Sequence, residues 1–257
     1  MKKTTTILCL GIALCMLGCS DDDDQVTTTS TVPFSLTASL SPRSSDAEDT
    51  GILQGNWDAN SQLAVIKTGS SGVPKSILTR KTDSSDTFTG NLSTLVKNEN
   101  EIAVFYPAAA ITANSSDTLT QTLNLSGQDG TLAGITNYDY LWAQCKAGMN
   151  ETTGSSACEM TSLVTIGKFQ FTVNGGSPLN NITRITITAT AGTLYSSAVM
   201  KLKNGEFSST QTGNITIKNK AGISGTTYIS FFPSEAQLHF TLVTTPVKCM
   251  RQLLRQP

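Results

Sequence analysis

Short segments in which apolar and polar residues alternate recur along this chain, and this period of two constrains the fold more than any other feature. The clearest examples are Val32 to Leu40, where every second residue is apolar, and Ile182 to Thr190, where Ile185, Ile187 and Ala189 alternate with threonines. Because successive side chains of a β-strand point to opposite faces, each segment is predicted to be a strand with one buried face. Clusters of Gly, Ser, Asn and Asp between the segments predict turns.

Shorter segments of the same kind fill most of the remaining chain. They are Leu63–Ile66, Ile77–Thr79, Phe88, Glu101–Tyr106, Leu119–Leu125, Tyr138–Gln144, Met160–Val173, Val199–Leu202, Ile215–Ile217, Tyr228–Phe232 and Leu238–Val243. Pro107 cannot donate to a ladder, so it ends the strand before it. No segment has a helical period over three turns, and we therefore expect an all-β, sandwich-like protein. A charged fraction of 14% with many Ser and Thr residues is typical of an extracellular β protein.

The first 18 residues have the features of a removable secretory signal. Lys2 and Lys3 form a basic start, and Ile7 to Leu17 is an apolar stretch too short to span a bilayer. The sequence Leu17-Gly18-Cys19 resembles the bacterial lipobox. It predicts cleavage between Gly18 and Cys19, and attachment of acyl chains such as palmitate at Cys19, which together hold a protein firmly to a membrane. The alternative is an ordinary signal peptide with a chance cysteine.

Residues 19–31 are predicted to be an acidic, flexible tether. Asp21 to Asp24 lack the spacing of a calcium loop, so a metal site is not expected there. An acidic tract directly after a lipidated cysteine resembles the signal that exports lipoproteins to the cell surface in gut and oral Gram-negative anaerobes. This resemblance implies a surface-exposed lipoprotein of the outer membrane.

Charge and histidine content argue against several classes of function. A net charge of −1 gives no electrostatic footprint for nucleic acid. The single histidine, His239, lies on the polar face of a predicted strand, so no His-based catalytic or metal constellation can form. A glycosidase needs only two carboxylates, but the acids here lie in Ser- and Asp-rich loops. We expect no enzyme activity, no metal site and no cofactor.

Three of the six cysteines lie at or before the lipobox, and the others are Cys145, Cys158 and Cys249. Cys145 and Cys158 flank a Gly, Ser and Thr loop between two predicted strands. A disulfide across this loop is plausible in an export compartment, and so are two reduced, half-buried thiols. The sequence leaves both alternatives open.

The order of these features resembles the fimbrillin family, the β-sandwich lipoproteins that build pili in gut and oral Gram-negative anaerobes. Besides the lipobox, the matching elements are the first strand ending near Arg43, Trp57-Asp58, Ile102 to Pro107, Asp139 to Ala143, Leu163 to Val173, and the paired strands Tyr228 to Pro233 and Leu238 to Thr245. The resemblance implies two tandem Greek-key, transthyretin-like β-sandwich domains, at residues 32–155 and 156–257. From Pro246 onward the chain has no strand period, so the second domain is expected to be incomplete.

The resemblance also implies a role as a structural or accessory subunit of a fimbrium, with other fimbrial subunits as partners. In such pilins a protease cuts after an arginine, here between Arg43 and Ser44, and releases the first strand, here Val32 to Leu40. A strand from another subunit then fills the groove by β-augmentation. The alternative for Arg43 is one base in an ordinary exposed loop.

A second function stays open, in which the protein is an outer-membrane lipoprotein that binds a glycan or a host protein through its loops. Exposed aromatic side chains would favour it, but Trp57 and Trp142 both adjoin strand patterns and are expected in the core. Asp117-Thr118-Leu119 resembles an O-glycosylation motif of these bacteria, which makes Thr118 a candidate acceptor.

Overall fold

The computed structural model describes residues 30–43, 51–69, 72–82, 86–112, 120–173, 176–223 and 225–245. Its strands, in chain order, are β1 (Thr31–Leu40), β2 (Gln62–Lys67), β3 (Ser76–Arg80), β4 (Thr87–Ser93), β5 (Glu101–Tyr106), β6 (Thr120–Asn124), β7 (Leu141–Lys146), β8 (Gly148–Met149), β9 (Gly154–Ser162), β10 (Thr165–Gln170), β11 (Ile182–Ala191), β12 (Tyr195–Lys201), β13 (Phe207–Thr212), β14 (Ile215–Ile223), β15 (Thr226–Phe231) and β16 (Gln237–Thr244). Short helices occur at Gly51–Gln54, Ala108–Ala110 and Leu132–Ile135.

Seven strands of the first half close into a ring. Their order is β1-β4-β3-β2-β5-β7-β9, and β8 continues the sheet beyond β9. The ring closes because β1 also pairs with β9, in parallel, from Phe34 opposite Gly154 to Leu40 opposite Met160. The other neighbours in the ring are antiparallel. The first strand in sequence therefore lies between the fourth and the ninth.

The ring encloses a hydrophobic core. Its buried side chains include Phe34, Leu36, Trp57, Leu63, Val65, Leu78, Phe88, Ile102, Val104, Leu141 and Met160. Trp57 packs edge-on against Phe88 and Tyr106, with ring centroids 5.0 and 5.2 Å apart. Such aromatic pairs stabilise a core by about 0.5–1.5 kcal/mol beyond the area they bury.

A second core lies against the outer face of β2 and β5. Three smaller sheets surround it, in the orders β14-β11-β16, β13-β12-β6 and β10-β15. On β2 and β5, Ala64 and Phe105 face this second core, whereas their neighbours Val65 and Val104 face the interior of the ring. These two strands are thus buried on both faces and form a wall common to both cores.

The expected all-β class is confirmed, and most strands lie where the alternation predicts them. The structure adds β13, whose residues are mostly exposed, and the two-residue strand β8. The expected loop between Cys145 and Cys158 is wrong in extent, because both residues lie inside strands and the turn is confined to residues 150–153. The finer expectations, two Greek-key, transthyretin-like domains divided near residue 155, stay predictions.

Candidate functional site

β1 and the groove that holds it form the candidate site. Val32, Phe34, Leu36 and Ala38 point into the ring, and each is at most 8% exposed. The intervening side chains face outward. The alternation that predicts this strand from the sequence therefore has a structural cause. β1 pairs with β4 and β9, and its apolar side chains all point to the interior of the ring.

The largest side chain of β1, Phe34, lies opposite glycine on both neighbouring strands. Its register partners are Gly90 on β4 and Gly154 on β9. A β-carbon at Gly154 would lie 2.7 Å from Cδ2 of Phe34 and would also collide with the sulfur of Met149. The absence of a side chain at Gly154 thus leaves space for the phenylalanine ring.

The carboxyl end of β1 is held by side chains from distant parts of the chain. The buried indole Nε1 of Trp57 donates a hydrogen bond of 2.6 Å to the carbonyl of Ala38. The hydroxyl of Ser39 donates to the carbonyl of Cys158, and that of Ser41 to a carboxylate oxygen of Glu159. These contacts fix the point at which the chain leaves the ring.

Arg43 forms an ion pair that sequence analysis did not foresee. Its guanidinium donates to both carboxylate oxygens of Asp139 over 2.5 Å and to the hydroxyl of Ser162 over 3.2 Å. The Asp139 side chain is 1% exposed and that of Arg43 is 21% exposed. Burial raises the pKa of the Asp139 carboxyl, while the Arg43 guanidinium opposes this shift by favouring the carboxylate.

The backbone of Arg43 is also fixed, since its N–H donates to the carbonyl of Leu53. Two open cavities flank the ion pair. One, of about 460 Å³, is lined by residues that include Asp139, Ile52 and Leu132. The other, of about 360 Å³, is lined by residues that include Arg43, Lys168 and Tyr228. The Arg43 side chain therefore lines an open cavity, but its guanidinium is hydrogen-bonded to Asp139.

The other predicted site residues fall into two groups. Gly18, Cys19, Ser44, Thr118 and Cys249 lie outside the described residues, so their roles stay predictions. Cys145 and Cys158 are free, half-buried thiols on β7 and β9. His239 lies on β16 with its side chain exposed, as the alternation predicts.

Within the described ranges, no group of three or more His, Cys, Asp or Glu side chains could hold a metal ion. The same part of the chain contains no helix with the length and apolarity that a membrane crossing requires. Asp139 is the residue of this site that sequence reasoning missed. The available signal was an acid placed between aromatic residues directly before a buried strand.

No protein-family model matches this chain. No curated protein matches its sequence. Among solved structures, a proposed cell adhesion protein from Bacteroides ovatus is similar at 15% identity and a TM-score of 0.48, over 83% of this chain and 86% of that chain. Another from Bacteroides uniformis has 15% identity and a TM-score of 0.49, over 84% and 80% of the two chains. A fimbrial assembly protein from Parabacteroides distasonis has 10% identity and a TM-score of 0.43, over 84% and 83%. At these identities and scores, the likenesses do not assign the chain to a family.

Proposed function

We propose that this chain is a structural or accessory subunit of a cell-surface fimbrium, in which β1 is removed and a strand from another subunit takes its place. One observation carries the proposal: β1 closes the ring, buries its apolar face there, and lies only a few residues before Arg43. A cut after Arg43 would therefore leave the whole of β1 held by non-covalent contacts alone.

The physics of strand replacement favours this proposal. Loss of β1 would expose an apolar groove to water, which is costly, and would leave the backbone edges of β4 and β9 unpaired and available to another strand. A strand with the same alternation would restore the ladder hydrogen bonds and fill the pockets of Val32, Phe34, Leu36 and Ala38. The ladder with β9 is parallel, which is slightly less stable per residue than an antiparallel ladder. The groove is thus a suitable acceptor for a donated strand.

Processing at Arg43 is part of the same proposal. A trypsin-like protease binds the arginine side chain in its own pocket, so Arg43 must first leave Asp139 and Ser162. The competing role is purely structural, with Arg43 as the permanent partner of a buried carboxylate. Cleavage rates decide between these two roles.

The proposed location rests on sequence alone. Lipidation of Cys19 would attach the protein to the outer membrane, and the acidic tract after it would direct it to the cell surface. Cleavage after Arg43 followed by departure of β1 would release the subunit from this anchor, and an uncut subunit would remain at the membrane.

A glycan-binding or host-protein-binding role receives less support from the tryptophans. Trp57 is 2% exposed inside the ring. Trp142 is half-buried against the second core, where its indole nitrogen donates to the carbonyl of Leu202. Neither side chain offers the exposed aromatic platform that such a binding site would use.

The proposal is tested by removing β1 from purified full-length protein. A recognition site for a sequence-specific protease, inserted directly after Arg43, allows cleavage without release of the arginine side chain. After cleavage, a fluorescent peptide with the sequence of residues 31–40 is added, and its binding is followed by anisotropy. The matched control peptide carries Asp in place of Phe34 and Leu36.

We expect the cleaved protein to exchange its β1 segment for the peptide and to bind the control peptide at least tenfold more weakly, because two buried pockets would receive charges. Failure to take up either peptide, with the fold intact by circular dichroism, would exclude β1 as an exchangeable strand.

A further inference from the structure

Cys145 and Cys158 lie on neighbouring strands of the ring in a common register. Trp142 on β7 lies opposite Thr161 on β9, and Gly148 on β8 lies opposite Ser155 on β9. Cys145 is three residues after Trp142, and Cys158 is three residues before Thr161. The antiparallel register therefore places Cys145 opposite Cys158, and counting from the pair of Gly148 and Ser155 gives the same result. Directly opposite residues have β-carbons about 4.5–5.5 Å apart, and a disulfide needs only a small further approach.

The surroundings of the two thiols are also shared. Both side chains are half-buried and pack against the core inside the ring. The Ser156 hydroxyl lies 3.3 Å from the sulfur of Cys145 and donates to the carbonyl of Lys146 over 2.7 Å, which ties β9 to β7 at this point. The sulfur of Cys158 lies 3.9 Å from that of Met160.

We propose that Cys145 and Cys158 are a redox site of this protein and form a cross-strand disulfide when a disulfide-bearing oxidant is present. The Cys145 thiolate attacks one sulfur of the oxidant's disulfide, forms a mixed disulfide and expels the first oxidant thiolate. The Cys158 thiolate then attacks the sulfur of Cys145 and expels the second. Two protein thiols are oxidised, their two protons pass to the expelled oxidant thiolates, and one oxidant disulfide is thereby reduced to two thiols.

The order of attack follows from the acidities of the two thiols. A hydrogen bond from Cys158 lowers the pKa of Cys145 to about 7. The hydrogen bond with Cys145 and, after it, burial raise the pKa of Cys158. A fraction of Cys145 is therefore a thiolate at neutral pH, which is the form that reacts with disulfides.

The bond has a structural consequence that rests on the function proposed above. β9 lies between β1 and β7, and Cys158 is the register partner of Ala38 on β1. If β1 leaves, β9 loses its ladder on that side and keeps its contacts with β7 and β8. A disulfide in the middle of β9 would hold this wall of the groove in place while the groove is empty.

Disulfide mapping tests the site directly. The reduced full-length protein is equilibrated with oxidised and reduced glutathione, blocked with N-ethylmaleimide and digested with trypsin. Because Lys97, Lys146 and Lys168 bound the relevant fragments, the bond would join peptide 98–146 to peptide 147–168. We expect this linked pair to dominate in folded protein and to give way to mixed pairings, including Cys249, when oxidation is carried out in urea.

Two outcomes would overturn the site. One is full labelling of Cys145 and Cys158 in folded protein kept under oxidising glutathione. The other is preferential linkage of either residue to a different cysteine. In the matched variant Cys158→Ser, Cys145 should stop at a mixed disulfide with glutathione, and the variant Cys145→Ser should show that adduct formation at Cys158 is slower.

The role in the groove is tested separately, with the cleaved protein and the peptide of residues 31–40. The oxidised form should bind the peptide on the order of tenfold more tightly than the reduced form, because its groove is preorganised. Equal affinities would remove the bracing role. If neither form binds peptide while the mapped disulfide is present, strand exchange fails and the redox site stands.

Discussion

At the scale of single residues, the contact between Arg43 and Asp139 should limit cleavage at the predicted site, because a protease must bind the same arginine side chain. The two residues are 96 positions apart in sequence, yet the guanidinium lies on both oxygens of a carboxylate that solvent hardly reaches. Sequence analysis singled out Arg43 as the base that follows the first strand, and its role as a cleavage site stays a prediction. It could not find the partner, because local periodicity contains no information about which distant loop a side chain meets.

The variant Asp139→Asn should therefore be cut faster after Arg43 by an arginine-specific protease. Loss of the carboxylate leaves the guanidinium without its ionic partner and should lower the free energy of unfolding by about 2 kcal/mol, between the values for exposed and buried pairs. Fragment masses measured over time give the rate, and Arg80 and Arg184, both inside strands, serve as internal comparisons.

The milder variant Ser162→Ala removes one hydrogen bond from Arg43 and keeps the carboxylate. It should increase the cleavage rate less than Asp139→Asn does. Equal cleavage of wild type and both variants would mean that the ion pair does not protect this site. Cleavage that rises equally at Arg80 and Arg184 would mean that the fold as a whole has loosened.

The thiol of Cys145 should show an unusual pH dependence. Since its pKa is lowered from 9.0 to about 7 by Cys158, its alkylation rate should rise as pH increases through 7 and level off above it. The thiolate is the reactive form, so the rate follows the deprotonated fraction. Iodoacetamide labelling of peptide 98–146, read by mass spectrometry, measures this profile.

In the variant Cys158→Ala, the hydrogen-bond donor is gone and the midpoint of the Cys145 profile should move up toward 9.0. A midpoint that stays near 7 would show that another group causes the shift. Such a result would leave the register of the two strands unchanged but would remove the assigned order of attack.

At the scale of elements, the position of β1 in the ring depends on two glycines of the neighbouring strands, Gly90 and Gly154, which lie opposite Phe34. The alternation within Val32 to Leu40 predicts the strand, its buried face and its length correctly. The sequence does not show which strands flank it, because register between segments that are far apart in the chain is set by packing. The pairing of Phe34 with Gly90 and Gly154 is visible only in the fold.

The substitution Gly154→Ala should disturb the packing of β1 against β9 and lower the free energy of unfolding. The new β-carbon would lie too close to Phe34 and to the sulfur of Met149, and overpacking of this kind costs about 1–3 kcal/mol. Chemical denaturation of the variant measures the loss. Ser155→Ala, one residue further along β9 with an outward side chain, is the matched control and should change stability little.

A double-mutant cycle with Phe34→Ala makes the test specific. Alone, Phe34→Ala should lower the free energy of unfolding by about 3–5 kcal/mol, because it removes a buried aromatic ring and leaves a cavity. Combined with Gly154→Ala, the total cost should be smaller than the sum, because the new methyl group gains the space that the ring leaves. Additive costs would show that the two sites do not meet in solution.

At the scale of the whole molecule, β2 and β5 join the two cores. A run such as Ile102 to Tyr106 reads as continuously apolar because both of its faces are buried. The sequence thus reveals that these strands are central. It does not reveal that β1 returns to β9 and closes a ring, since this closure depends on the curvature of the complete sheet.

The shared wall predicts that both cores unfold in one transition. Trp57 lies inside the ring and Trp142 packs against the second core, so the variants Trp57→Phe and Trp142→Phe each leave one tryptophan to report on one region. Fluorescence unfolding curves of the two variants in urea should have equal slopes and, after correction for each substitution, equal midpoints. Two separated transitions would mean that the cores are independent.

The parallel seam between β1 and β9 also has a mechanical meaning. A pull that arrives from the predicted attachment point at Cys19 enters the folded chain at Thr31 and runs along the axis of β1. The ladders to β4 and β9 both lie beside this axis, so the load is distributed as shear over many hydrogen bonds at once. A strand that is peeled from one end would break them in turn at much lower force. If Cys19 is lipidated as predicted, the first strand should therefore resist tension from that anchor, and a cut after Arg43 should leave it held by these ladders alone.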